Sequence, residues 1–173
     1  MGLHLIIDGY NLIRQSAALA RVDRRDIAAG RDALLRRLAA YRRLKPHRVT
    51  VVFDGAGAPE GTPERDQAMG VRVVFSRQGE TADTVIARMA RQEAEKALVV
   101  TSDRGLARAA EAGGATVLDA LEFEARVEMA VALGGEEGPR EAETERRVST
   151  RKKGQGHRLP KRERRTLSKA SKL

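Results

Sequence analysis

The chain has 173 residues, of which 41% are hydrophobic, 3% aromatic and none cysteine, and it carries a formal net charge of +9. That length suits one domain of ordinary size with an extension, and the lack of thiols excludes disulfides and thiolate metal sites and fits a reducing, cytoplasmic setting. So few rings exclude a base-stacking platform, no apolar run approaches the ~20 residues that span a bilayer, and the start lacks the charged region of a signal peptide, so no membrane partner is expected.

The first element is a strand. Leu3-His4-Leu5-Ile6-Ile7 is a short apolar run that suits a strand buried on both faces, and it ends abruptly in Asp8-Gly9-Tyr10-Asn11. Gly9 is expected to let backbone approach a ligand closely. A short helical piece, Leu12–Ala20, follows. Asp23 to Asp26 then supply N-cap chemistry for a long amphipathic helix over Ile27–Leu44, with Leu34, Leu35, Leu38 and Tyr41 on its apolar side. Its arginines, Arg31, Arg36, Arg37, Arg42 and Arg43, read as a solvated face rather than as phosphate contacts.

After Pro46, a second strand over Val49–Phe53 ends in Asp54-Gly55. Gly55 to Gly70, with two prolines and several glycines, reads as a long loop. Val71–Phe75 is the third strand. Thr81 is placed to N-cap a helix that buries Val85, Ile86, Met89 and Ala90. Ala97–Val100 is the fourth strand, followed by Thr101-Ser102-Asp103 and a helix that stops near Gly113-Gly114. Ala115–Leu118 is the fifth, ending in Asp119, and Leu121–Leu133 is a closing helix. Strands alternating with helices in this order predict an α/β fold with a mainly parallel sheet.

The charge is not evenly spread. From Thr150 onward there are ten basic residues and one acid, so the net charge of the whole chain sits in this segment and the rest is neutral. The chain divides into a domain over 1–133, a linker over 134–148 and a basic tail over 149–173. The tail has almost no apolar residues and is expected to be disordered, or helical only when bound. A neutral globule with a basic arm suits a polyanionic partner, most often nucleic acid. Arg151, Lys152, Lys153, Arg158, Lys161, Arg162, Arg164 and Arg165 are the candidate RNA contacts. The terminal Ser171-Lys172-Leu173 matches a peroxisomal address, which on a Lys/Arg/Ser-rich tail reads as chance.

Acids recur where strands end. Asp8, Asp54, Asp103 and Asp119 each follow a strand, and Asp83 sits in the first turn of a helix that follows another. Parallel strands present their carboxyl ends on one side, so this pattern gathers carboxylates along one edge, where open α/β sheets bind ligands. Asp119 reads first as a helix cap, and Asp54 before Gly55 equally as a turn or a site acid. Asp8 with Asn11, and Asp103 after Thr101 and Ser102, are harder to reduce to caps. Carboxylates held close together repel unless something neutralises them, and an all-oxygen set suits Mg²⁺ or Mn²⁺. His4, His47 and His157 show no ligand spacing, and His4, inside the first strand, reads as a packed residue. There is no phosphate-binding Gly-rich loop and no dinucleotide fingerprint. Carboxylate-held metal beside a basic arm points to hydrolysis of a nucleic-acid backbone.

Four segments in order carry a resemblance. Leu5-Ile6-Ile7-Asp8-Gly9-Tyr10-Asn11 resembles the opening motif of NYN domains. Val51-Val52-Phe53-Asp54-Gly55, Gly79-Glu80-Thr81-Ala82-Asp83 and Val99-Val100-Thr101-Ser102-Asp103 resemble the later motifs of its YacP-like branch, over about Leu3 to Leu133. The resemblance implies a PIN-like, Rossmann-like three-layer α/β/α sandwich and an Mg²⁺- or Mn²⁺-dependent endoribonuclease. It implies Asp8, Asp83 and Asp103 as the acidic metal set, Asp54 as a fourth acid, and Asn11 and Ser102 as supports through their turns. RNA, and through the basic tail the ribosome, would be the partners. The alternative is a PIN-like module that binds RNA or the ribosome with little catalysis. A haloacid-dehalogenase-like phosphatase is disfavoured, because it wants a second Asp two residues after Asp8, where this chain has Tyr10.

Overall fold

The computed structural model describes residues 2–58, 61–134 and 161–171, with only the backbone of Gly57 and of 161–164. Six strands form one sheet: β1 (His4–Asp8), β2 (Arg48–Phe53), β3 (Arg65–Ala68), β4 (Val71–Phe75), β5 (Ala97–Val100) and β6 (Thr116–Leu118). Their order is β3-β4-β2-β1-β5-β6, and all neighbours are parallel except the β3–β4 edge pair. The helices are α1 (Gly9–Gln15), α2 (Ala17–Asp23), α3 (Ile27–Leu44), α4 (Ala82–Glu93), α5 (Arg104–Ala112), α6 (Ala120–Gly134) and α7 (Lys161–Ala170).

Alternation along β1 splits the interior in two. Leu5 and Ile7 face a larger core with Leu12, Ile13, Leu34, Leu38, Tyr41 and Phe123 from α1, α3 and α6. Ile6 faces a smaller core with Val85, Ile86, Ala90, Leu106 and Ala110 from α4 and α5. This is the expected α/β/α sandwich. Every residue of β1 is buried, as its apolar run predicts. From β1 the chain runs outward through β2 to β4 and then returns to the other side of β1 as β5. The strand order therefore reverses between β1 and β5, and the crevice of the sheet lies at their carboxyl ends.

Four local features differ from the sequence reading. The helical piece after β1 is two helices, broken at Ser16, whose extended backbone and side chain cap α2 through the Leu19 N–H at 3.2 Å. Within the expected loop, Arg65–Ala68 forms an antiparallel edge strand. Its polar, mostly exposed sequence shows no apolar alternation. Met69 and Gly70 close the hairpin with φ of +52° and +81°, the doubly left-handed turn that fits two-residue hairpins. The basic tail contains an ordered helix: α7 packs against β6, with Ala170 buried, and Arg126 donates to the Ala170 carbonyl at 2.8 Å. Lys169 donates to the Ala97 carbonyl at 3.1 Å. These side-chain-to-backbone bonds anchor the helix without an apolar stripe. Residues 135–160 lie outside the described residues.

The fourth concerns Gly9. It is buried, and a Cβ there would lie 2.3 Å from Phe53 Cε1 and 2.9 Å from Val51 Cγ1. The space beside Gly9 is thus filled by the Phe53 ring, a packing reason for glycine that the sequence alone does not show. Gly9→Ala should cost about 1–3 kcal/mol in urea denaturation despite alanine's better helix propensity. Unchanged stability would mean that the ring moves aside freely.

Candidate active site

The turns that leave β1, β5 and β6 are tied together by side chains. Asp8 caps α1 by accepting from the Asn11 N–H at 3.3 Å. The Asn11 side-chain oxygen accepts from the Ser102 N–H at 2.8 Å. Thr101 donates its hydroxyl to Asp8 Oδ2 at 3.3 Å and accepts from the Asp103 N–H at 3.1 Å. Asp103 caps α5 through the Leu106 N–H at 2.8 Å. Ser102 donates to Asp119 Oδ2 at 2.6 Å, and Asp119 caps α6 through the Leu121 N–H.

Asp8, Asp54, Asp83 and Asp103 line one open cleft of about 610 Å³ at this edge, together with Tyr10, Asn11 and Arg14. Asp54 also caps the short turn after β2 through the Ala56 N–H at 3.0 Å. Asp83 comes from the first turn of α4, which Thr81 caps as expected. Ser102 and Asp119 do not line the cleft. Ser102 is spent on the turn, and Asp119 on its cap.

The electrostatics are those of uncompensated negative charge. Burial pushes the Asp8 carboxyl up from 3.8 to about 6; the Asn11 N–H opposes this, and the nearby Asp83 and Asp103 carboxylates add to it. Asp83 is also raised, by burial and by Asp103 and Asp54. None of the four acids forms an ion pair among the described residues. Mutually repelling oxygen donors without a cationic partner fit a hard divalent cation. As their side chains stand, no three acids among the described residues form a closed ligand group.

Two residues missed in the sequence also shape the cleft. Tyr10 accepts a hydrogen bond from Arg31 at 2.8 Å and packs edge-on to Phe53. Arg14 lies 5.8 Å from the Tyr10 ring centroid and brings positive charge to the cleft wall. Arg14 stands three residues after Asn11 on α1, the helical spacing that could have found it. His4 is buried as read: its Nε2 meets Thr50 Oγ1 at 2.8 Å, and burial with nearby Arg48 lowers its pKa to about 4.

Of the proposed RNA contacts, Arg151, Lys152, Lys153 and Arg158 lie outside the described residues. Lys161, Arg162 and Arg164 fall in the first turn of α7. Arg165 pairs with Glu95, so its charge is turned to the domain. No helix among the described residues is long and apolar enough to cross a membrane.

A three-layer sandwich with an acidic cleft at the switch point of a parallel sheet is the build of a PIN-like nuclease fold. The chain belongs to the YacP-like NYN domain family, whose model matches residues 5–172 and so reaches through α7. Over 86 residues it is 34% identical to the Bacillus subtilis (strain 168) protein named "Uncharacterized protein YacP"; the match spans half of this chain and half the length of that relative. The crystal structure of Rae1 (YacP) from Bacillus subtilis is similar with a TM-score of 0.63 and 30% identity, over 78% of each chain. A point mutant of Rae1 gives the same TM-score at 31% identity, over 77% of this chain and 79% of that one.

Ionised Asp8 works against folding. Its folded pKa is raised, so the penalty is absent below pH 3.8, grows as pH rises, and is complete above about 6. Asn keeps the cap. Asp8→Asn should therefore stabilise the metal-free protein by about 1–3 kcal/mol near pH 7 and by almost nothing near pH 4. Thermal melts across this range check it; a pH-independent difference would refute the burial argument.

Proposed function

We propose that this chain is a metal-dependent endoribonuclease that hydrolyses RNA phosphodiester bonds, acting in processing or decay of mRNA or ribosomal RNA at the ribosome. The observation that carries the reading is the convergence of Asp8, Asp54, Asp83 and Asp103 on one cleft, none of them ion-paired among the described residues. Membership of a family with a PIN-like nuclease fold supports it.

Asp8, Asp83 and Asp103, with Asp54 beside them, would hold Mg²⁺ or Mn²⁺. The cation would offset charge on the scissile phosphate and activate the hydrolytic water. Thr101 and the Asn11 N–H fix the two oxygens of Asp8, so its carboxylate need not reorganise on binding. Asn11 and Ser102 are positioning residues, because their side chains join the exits of β1, β5 and β6. Arg14 offers fixed positive charge to a phosphate in the cleft. The tail would hold RNA or the ribosome electrostatically, and the site would act in the cytoplasm.

A second reading, an RNA- or ribosome-binding module with little catalysis, draws on the open arrangement of the acids. One experiment separates the two. Wild type, Asp8→Asn and Asp103→Asn are given a mixed RNA pool, with and without ribosomes, in Mn²⁺, Mg²⁺ or EDTA. The nuclease reading expects metal-dependent cleavage, reduced about 100-fold or more in each variant. Equal cleavage by the variants overturns the mechanism. No cleavage under any condition, with binding intact, favours the module.

The tail makes its own prediction. Arg151→Gln, Lys152→Gln and Lys153→Gln together should weaken RNA association and lower the slope of log affinity against log salt by about 2. An unchanged slope would remove these residues from the RNA contact.

A further inference from the structure

On the α4 side of the sheet, coverage stops short of the edge. Helix α4 packs mainly over β1, β2 and β5, and beyond Val74 of β4 the sheet opens into a groove on that side. Pleat parity decides which side chains stand there. Val74 belongs to the α4-side core, so Arg72, two residues before it, shares that face. Arg65 is paired with Val74 and Gln67 with Arg72 across the hairpin, so both stand on the same face. A groove of about 610 Å³ results between α4 and the hairpin.

The groove has an apolar floor, and its walls carry four arginines against three glutamates, Glu64, Glu80 and Glu93. Val74, Val85 and Met89 form part of the floor, and Arg65, Arg72 and Arg88 line it. Arg88 pairs with Glu80, and Arg77 with Glu64 at 2.8 Å. Arg65 and Arg72 have no ion-pair partner among the described residues. Arg72 also lines a second cavity at the amino edge of the sheet, shared with Arg42, Lys45 and Arg48 and containing no acid. The basic strip therefore continues beyond the groove.

One end of the groove meets the candidate active site. Glu80 lines the groove, and Ala82 and Asp83, at the start of α4, line the acidic cleft. From there it follows α4 to Glu93 and His4, a helix of 12 residues and so about 18 Å. A chain lying in it would enter or leave the cleft directly.

We propose that this groove is the path of the single-stranded RNA flanking the cleaved bond, with Arg65 and Arg72 contacting its phosphates. The inference rests on the ribonuclease reading and specifies where its substrate lies. Exposed arginines spaced along a groove suit the backbone of a single strand, which they hold by charge. It also assigns substrate binding to the folded domain in addition to the basic tail.

The test uses the full chain and a fluorescent single-stranded RNA of mixed sequence, with anisotropy measured in EDTA so that binding is read without cleavage. Arg65→Ala with Arg72→Ala should weaken binding about tenfold and lower the salt slope by about 1.4, two single-strand phosphate contacts. The same double replacement by lysine should restore most of the slope, because charge rather than fork geometry grips a phosphate. Both sites lie on a solvent-facing sheet surface, and an unchanged melting temperature verifies the fold. Wild-type affinity and slope in the double alanine variant would overturn the groove while leaving the nuclease reading intact, provided that wild type cleaves RNA. Wild type that neither binds nor cleaves RNA would overturn both.

Discussion

Asp8 is a carboxylate buried at the end of the central strand, and much of the carboxyl edge is arranged around the cost of keeping it there. Two interactions contain that cost. Its own cap bond to Asn11 and the Thr101 hydroxyl favour the ionised form, while burial and the neighbouring Asp83 and Asp103 oppose it. The opposing effects win, burial foremost, so the Asp8 carboxyl is held above its ordinary range. A cation would offset the repulsion from the neighbouring carboxylates. Binding would thus be driven partly by relief of repulsion already present, the logic expected of a site organised before its ligand arrives.

The same acids do two jobs. Asp8, Asp54, Asp103 and Asp119 all cap helical turns, so capping and site-building are not competing explanations. A cap fixes one carboxylate oxygen against backbone N–H groups and thereby fixes the other's direction. What separates the cleft acids from Asp119 is where the strands end. Asp8 and Asp103 flank the reversal between β1 and β5, whereas Asp119 leaves the outer strand β6 and is claimed by Ser102.

The residues that could be read in advance were those whose pattern is local. The mainly apolar runs of β1 and β2, the wholly apolar run of β5 and the cap of α4 at Thr81 stand where their sequences place them. The cleft acids were legible because strand ends in a parallel sheet share one edge. The hairpin strand Arg65–Ala68 was not, because an edge strand facing water needs no apolar alternation and its turn is Met-Gly rather than Asn-Gly. Helix α7 was hidden for a related reason: long-range bonds from Arg126 and Lys169, which no local window contains, hold it. The packing reason for Gly9, the Phe53 ring, lies 44 residues away and needs the β1–β2 register to appear.

The seat of α7 changes what a deletion of the tail would report. Among the described residues β6 pairs with β5 alone, and its other side would be an open strand edge without the helix that packs against it. Unprotected edges recruit other strands. A chain shortened before Lys161 would then lose basic charge and gain a sticky margin at once, so self-association could mimic or mask a change in partner binding. Charge-neutralising substitutions that leave the α7 backbone in place separate the two effects. The C-terminal segment is, in this sense, both an arm and a selvedge.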